Sequence, residues 1–421
     1  MFQFNYSGIS SLFNLGRQGK KKEAASLYCT RPQSAILITS KAKYNLLNGE
    51  VSVFSNDREL EDELNVFKAT ISSMVAESMH KTFVFHLFYE MGEILKRSET
   101  SDEIKLWISL EYTETEVVSN RLFLPQKINW TTSKEFVNRE VYAEKFMTLR
   151  EHLLKGDCYQ VNLTFPFEIE SEDVLFHEKL VHHLFSQESK MGAYAHASFF
   201  PQQKFSLISN SPECLFQSTY DKDQNHLKVW SMPIKGTLKF DSAQTSFKQA
   251  WSELKNSSKN QAELFMITDL LRNDLGKINT TPVDIIAKKR PLLAPGLLHQ
   301  YSLISTSLNL SNESICLLDM IKALFPGGSI TGAPKKRVMR IIKSLEVMPR
   351  GFYCGSTILA HKTKIAASIN IRSGEVDWDT GRLRVGAGGG VTLDSLVDEE
   401  YDEMLGKYHS IIEALMGDTR V

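Results

Sequence analysis

Apolar residues recur at helical spacing through Asp57–Glu77, where Leu60, Leu64, Phe67, Ile71 and Val75 fall on one face. A second helix is expected from Ser133, as N-cap, to Gly156, with Val137, Tyr142, Phe146, Leu149 and Leu153 as its apolar face. Further helices read over Val174–Gln187, Ser258–Leu275, Ile315–Leu324, Lys335–Leu345 and Asp398–Met416. Between them lie short apolar or alternating runs that read as strands: Ser34–Leu47 with a turn, Phe83–Phe88, Ile104–Tyr112, Cys158–Phe167, Ala193–Phe200, Phe205–Ser209 and Glu213–Ser218. The C-terminal third adds Phe352–Ala360, Lys364–Arg372 and Arg382–Gly386. The strands interleave with helices without regular βαβ alternation. That pattern implies an α+β fold, with antiparallel sheets and helices packed outside them.

Composition narrows the field. The 421 residues hold 49 Lys+Arg against 50 Asp+Glu, a net charge of -1, which argues against a nucleic-acid partner. No run approaches the roughly 18 apolar residues that cross a bilayer, and residues 1–18 lack the apolar core of a signal peptide. No membrane association and a cytoplasmic location are therefore expected, with Lys20, Lys21 and Lys22 as a solvated loop. The five cysteines, Cys29, Cys158, Cys214, Cys316 and Cys354, are scattered and form no C-x-x-C pair, so neither a disulfide framework nor a zinc site is expected. A Cys between glycines on a sharp strand-to-helix turn, as a glutaminase nucleophile requires, is absent.

Several segments carry candidate chemistry. In SMPIKGT, Ser231–Thr237, Pro233 fixes φ and Gly236 allows close backbone approach. Lys235 between them is either a nucleophile held in a pre-set backbone or a hairpin surface lysine. Glu213 is flanked by apolar strand residues, and burial would raise its pKa and suit it to acid–base work. Glu400 and Glu403, at i and i+3, share a helix face. They either complement the helix N-terminus or, with a third carboxylate, hold a hard cation through oxygen. Lys407 lies one turn further on, placed to meet an anion. Glu263 opens an apolar helix, and the following DLLRNDLG block suits local ion pairs with Gly276 as the stop. PGGSITGAPK, Pro326–Lys335, can present backbone N–H groups to an anion but lacks the Walker A order. Gly388, Gly389 and Gly390 expose more backbone, and Arg372 is a candidate carboxylate fork or an exposed strand-end arginine. The inventory points to an enzyme acting on a small anion, with Mg²⁺, without naming the reaction.

Taken in order, GDCYQVNL, SPE, PIKGT, AELFMITDLLRNDLG, FPGGSITGAPKKR, RGFYCGS, NIRS and GGGVTLDS followed by EEYDE resemble the chorismate-utilising enzymes. These are the anthranilate, aminodeoxychorismate, isochorismate and salicylate synthases. The resemblance covers residues 130–418, and LFYEMG and LEYTETE upstream fit it as well. It implies two antiparallel sheets packed together with helices outside, a catalytic domain over 126–421 and an N-terminal region, 1–125, interwoven with the core sheets.

Within the family, the water-using isochorismate and salicylate synthases carry a lysine base where this chain has Gln160. The PI-x-GT segment usually has Ala in anthranilate synthases and Lys in aminodeoxychorismate synthases, and here it is Lys235. The resemblance is therefore closest to the component I branch of the latter, which serves para-aminobenzoate and folate synthesis. It implies chorismate on Mg²⁺ held by Glu263, Glu403 and Glu400, with Arg372 and Tyr353 on a substrate carboxylate. Lys407 and the backbone of Gly388–Gly390 would neutralise the anionic side, and Gly236 and Thr237 would line the substrate. Lys235 would be the nucleophile and Glu213 the acid. Ammonia would come from a separate glutamine amidotransferase subunit, in a heterodimer. The alternatives are an anthranilate synthase component I or a non-catalytic chorismate-binding subunit. Three departures stand out: Ser302 where the family often has His, with His299 off that position; Leu396-Val397 for a usual Asp-Pro; and no leucine-rich segment of the kind linked to tryptophan binding.

Overall fold

The computed structural model describes residues 8–18, 23–95, 103–173, 175–241, 245–278, 282–294, 297–310 and 317–417. The Lys20–Lys22 triplet, Val174, Ile315 and Cys316 lie outside the described residues. The chain is α+β, as the interleaved pattern implies, and every strand pairing is antiparallel. The pairings run as one continuous ladder. It starts at Gln160–Glu170 and passes through Arg382–Val391, Ser373–Asp377, Phe205–Ser209, His196–Phe200 and Ser10–Gln18. The long strand Glu23–Thr39 carries it on to Lys105–Ser119, Thr82–Leu87, Ser356–His361, Lys364–Ser368, Cys214–Asp221, His226–Ser231 and Leu297–Asn309.

The ladder folds back so that its two halves pack face to face. Phe13, Leu27, Phe200 and Leu207 from one half meet Val84, Ile108, Leu110 and Leu359 from the other in a shared core. Strand alternation sorts the opposite faces outward, where helices cover them. Phe83, Phe85 and Leu87 pack under helix Asp57–Glu77 and the helices Ser258–Gly276 and Leu317–Leu324. Val161, Leu163, Phe165 and Phe167 lie under helices Arg139–Leu154, Phe176–Ser186, Lys335–Leu345 and Val397–Met416. The two sheets with outer helices are thus present, joined through one strand.

Local sequence explains the helix limits. Helix Asp57–Glu77 starts where the Asn56 side chain accepts the Arg58 N–H. The helix expected from Ser133 starts at Arg139, capped by the Asn138 side chain on the Val141 N–H. Residues Thr131–Glu135 instead pair with Phe167–Glu170, so tertiary pairing overrides the cap signal at Ser133. Helix Ser258–Gly276 ends at the expected glycine, and Asp269 and Arg272 pair at 2.6 Å. The four described cysteines are free and buried. Among the described residues no helix is long and apolar enough to cross a membrane.

Candidate active site

Glu213 ends a tight turn pinned at both sides. Its N–H donates to the Ser211 hydroxyl (3.2 Å), Ser211 donates to the Ile369 carbonyl (2.5 Å), and the Ile369 N–H donates to the Glu213 carbonyl (3.0 Å). Burial pushes the Glu213 carboxyl above the ordinary range; the Ser329 hydroxyl and the Lys235 ammonium nearby pull the other way. Lys235 stands on the strand Ile234–Lys239, which pairs with Leu297–Asn309 through a register shift at Gly236. It makes no ion pair among the described residues, so no carboxylate holds its amine.

Gly236 has φ +86, and an added Cβ would lie 2.9 Å from Gln300 Nε2 and 3.1 Å from Asn260. The Gln300 amide donates to the Asn260 carbonyl (3.0 Å) and accepts from Gln261 (3.1 Å). The lysine strand is thereby fastened to the start of the helix that carries Glu263. Thr237 meets the His299 ring through Nδ1 at 2.8 Å. Ser302 is buried, and its N–H donates to the Pro233 carbonyl (3.2 Å).

Arg372 occupies the turn between Lys364–Ser368 and Ser373–Asp377 with φ +53, and its carbonyl accepts the Asn210 N–H (3.0 Å). Burial lowers its pKa, and it too has no ion-pair partner among the described residues. A half-buried, unpaired guanidinium is a ready fork for a carboxylate. The Tyr353 ring packs over Gly386, where an added Cβ would sit 2.2 Å from it, and its hydroxyl lies by Cys354 and Arg350.

The acidic helix Val397–Met416 packs along the glycine strand Arg382–Val391. Glu400 is buried and accepts from the Ser395 hydroxyl (2.8 Å). A Cβ on Gly389 would lie 3.0 Å from Glu400 Oε2, and one on Gly390 would collide with the Gln160 amide nitrogen. The Gln160 Oε1 atom is buried with no hydrogen-bond partner among the described residues. Lys407 Nζ lies 2.8 Å from Glu403 Oε1 and 2.9 Å from the Gly388 carbonyl. The helix Val397–Met416 starts after Leu396, which gives it no side-chain cap. Glu263 is half-buried on helix Ser258–Gly276. Among the described residues no three Asp, Glu, His or Cys side chains are gathered into a ready metal set. Glu263, Glu400 and Glu403 offer oxygen donors only, the donor chemistry that a hard divalent cation takes.

Two groups escaped the sequence reading. Ser329, inside the Gly-rich segment, has a buried hydroxyl without a hydrogen bond of good geometry and faces Glu213. Arg350 donates to the Ile330 carbonyl (2.6 Å), the Asn162 carbonyl (2.7 Å) and Glu346 (2.7 Å), tying the Ser329 segment to the Gln160 strand. Both lie in motifs read only as backbone-exposing or as family markers.

Comparison with known proteins fits this arrangement. Residues 32–413 match the family described as chorismate binding enzyme. Aminodeoxychorismate synthase component 1 of Escherichia coli is 33% identical over 305 residues, 71% of this chain and 63% of that protein. Its counterpart in Salmonella typhimurium is 35% identical over 65% of this chain and 57% of that protein. The chain thus aligns with about six-tenths of the length of these relatives. Anthranilate synthase component I from Streptococcus pneumoniae superposes with a TM-score of 0.71 at 19% identity, covering 94% of this chain and 93% of that one. The menaquinone-specific isochorismate synthase of Escherichia coli gives 0.64 at 14% identity, covering 97% and 88%. A family match spanning nearly the whole chain, on a fold shared with these synthases, means that the protein belongs to the chorismate-binding enzyme family.

Proposed function

We propose that this protein is an aminodeoxychorismate synthase component I, forming 4-amino-4-deoxychorismate from chorismate and ammonia. The observation that carries the reading is Lys235, a site lysine without an ion pair among the described residues, next to the raised carboxyl of Glu213. As the free amine, Lys235 attacks C2 of chorismate; the ring double bonds shift and the C4–O bond breaks. Glu213 gives its proton to the departing hydroxyl, which leaves as water. Ammonia then forms the bond to C4, the double bonds shift back, and the C2–N bond to Lys235 breaks. The Glu213 carboxylate takes the proton released by the new ammonium, which restores the acid. The enolpyruvyl group stays in place.

Arg372 binds one substrate carboxylate, and Gly388–Gly390 offer backbone to the anionic side. Gln160, an amide, cannot serve as the base that activates water, which favours ammonia as nucleophile. Glu263, Glu400 and Glu403 would hold Mg²⁺, which supplies charge neutralisation for a ring carboxylate. Ammonia is delivered by a glutamine amidotransferase subunit, a reading supported by the component 1 naming of the similar synthases.

Mass spectrometry of the product from chorismate, ammonium and Mg²⁺, with and without an aminodeoxychorismate lyase, tests this. The expected product retains the enolpyruvyl group and becomes para-aminobenzoate with the lyase. Anthranilate and pyruvate would instead identify an anthranilate synthase, and binding without turnover would identify a non-catalytic subunit.

A further inference from the structure

The sheet face under helix Asp57–Glu77 is not filled to the density of the rest of the core. Strand pairing sets Ser109 between Ile36 and Phe85, and sets Trp107 between Ile38 and Leu87 in the next row. By strand alternation these side chains share the face that the helix covers. Ser109 is thus one short side chain among bulky ones. Above it the helix presents Phe67 and, three residues on, Thr70, which is short again. Where the short residues of helix and sheet meet, a cavity of about 150 Å³ remains. Its walls are aromatic: Phe67 meets Phe85 edge-on with ring centroids 5.7 Å apart and tilts against Trp107 at 5.0 Å. An apolar cavity of about 150 Å³ is large enough to take up benzene.

The polar groups of the cavity set the charge of what it can hold. Lys43 Nζ lies 2.8 Å from Glu63 Oε1, and Lys81 Nζ lies 2.7 Å from Glu111 Oε1. Each carboxylate at the mouth is thereby neutralised, and no spare charge faces the cavity. The Thr70 hydroxyl donates to the Val66 carbonyl (2.9 Å). The half-buried Ser109 hydroxyl has no hydrogen-bond partner among the described residues. An uncharged ring with one hydrogen-bonding substituent matches both the aromatic walls and that hydroxyl. We propose that this cavity is a second binding site, for an uncharged single-ring aromatic of the phenol or aniline class. The ring lies against Phe67, Phe85 and Trp107, and its substituent hydrogen-bonds to Ser109. The cavity shares no lining residue with the proposed active site, and the inference does not rest on the reaction proposed above.

The test titrates the full chain with phenol, benzene and benzoate by calorimetry and reads melting temperatures in parallel. Phenol and benzene are expected to bind saturably and to raise the melting temperature, as a ligand of the folded state does. Benzoate, which carries a charge, is expected to do neither. Ser109→Ala keeps the cavity and removes the hydroxyl. Phenol affinity should then fall about 2- to 10-fold, the worth of a neutral hydrogen bond, while benzene affinity holds. Ser109→Leu and Thr70→Leu fill the cavity from the sheet and from the helix. Each should abolish phenol binding with a melting temperature at or above that of wild type. Saturating chorismate should leave phenol binding unchanged. The proposal would be overturned by a wild-type protein that does not bind phenol saturably, by phenol binding that survives both filling variants, or by displacement with chorismate. Benzoate binding as tight as phenol binding would overturn the assignment of an uncharged ligand.

Discussion

Lys407 neutralises Glu403: its Nζ lies 2.8 Å from Glu403 Oε1 while also donating to the Gly388 carbonyl at 2.9 Å. The lysine thus joins the acidic helix to the glycine strand at the edge of the site. Both side chains are about half exposed, 46% and 51%, so the pair contributes at most about 1 kcal/mol to stability. Its larger effect is expected in binding. Lys407→Met should raise KM for chorismate roughly 10- to 100-fold, about the worth of one charge-assisted hydrogen bond. Urea unfolding should change by less than about 1 kcal/mol. A KM unchanged in this variant, with a lower Mg²⁺ requirement, would show that Lys407 serves Glu403 alone.

Lys235→Ala separates the covalent path from direct attack. Removing the nucleophile should lower aminodeoxychorismate formation by roughly 10²-fold or more. The space left beside Glu213 leaves ammonia able to attack chorismate directly, so residual turnover with some anthranilate-like product is expected. Product chromatography at high ammonium reads both effects. Wild-type rates in this variant would end the nucleophile assignment.

Much of this arrangement was legible in sequence because its signals are local. The helix Ser258–Gly276 shows apolar periodicity with a glycine stop, and its observed limits agree to one residue. Other elements depended on distant partners. Thr131–Glu135 became a strand because Phe167–Glu170 was available to pair with it. The hairpin Asp284–Ala294 with Leu297–Asn309 was unread because its charged DIIAKKRP run hides the alternation. Strand Glu23–Thr39 was only partly read, since Pro32 lies at a bulge in its ladder with Lys105–Ser119. The same division holds in the site. Motifs marked Lys235, Glu213 and Arg372 as candidates, and the Lys407–Glu403 pair is a local i, i+4 contact, whereas the Gln300 tie and the Ser329 hydroxyl beside Glu213 arise from contacts between segments far apart in the chain.

Glu213 links catalysis to stability with a definite sign. Its carboxyl is raised by burial, so the folded state holds the proton more tightly than the unfolded chain. That contribution to stability is fully present below the ordinary carboxylate value and is lost as pH rises through the raised folded value. Glu213→Gln, permanently neutral, should therefore melt higher than wild type at pH 8, with a smaller difference at pH 5. The same change should lower kcat about 10²- to 10⁴-fold, the usual scale for a proton donor. In wild type kcat should decline as pH climbs through the Glu213 value, and that limb should be missing in the variant. Calorimetry and a pH–rate profile read the two halves; equal melting temperatures at both pH values would refute the burial argument.

Gly236 is where the lysine strand and the Glu263 helix are fastened together. Its φ of +86 lies in the left-handed region, and a side chain there would press on Gln300 Nε2 at 2.9 Å and on Asn260 at 3.1 Å. Gln300 is fully buried and makes both of its amide bonds to the first turn of the helix, at Asn260 and Gln261. Gly236→Ala should cost about 1–3 kcal/mol from backbone strain alone and push Gln300 away from the helix. Gln300→Leu keeps the backbone of Gly236 and removes only the amide, leaving the Asn260 carbonyl and the Gln261 amide without their partner. It should cost about 1–3 kcal/mol for those groups. If the tie sets the distance between Lys235 and Glu263, both variants should lower kcat and raise the Mg²⁺ concentration for half-maximal rate together. If it serves stability only, urea midpoints will fall while the Mg²⁺ dependence stays at the wild-type value. Because the two substitutions break the same tie from opposite sides, a coupled change in both variants would assign it to the glycine–glutamine contact rather than to strain at one residue.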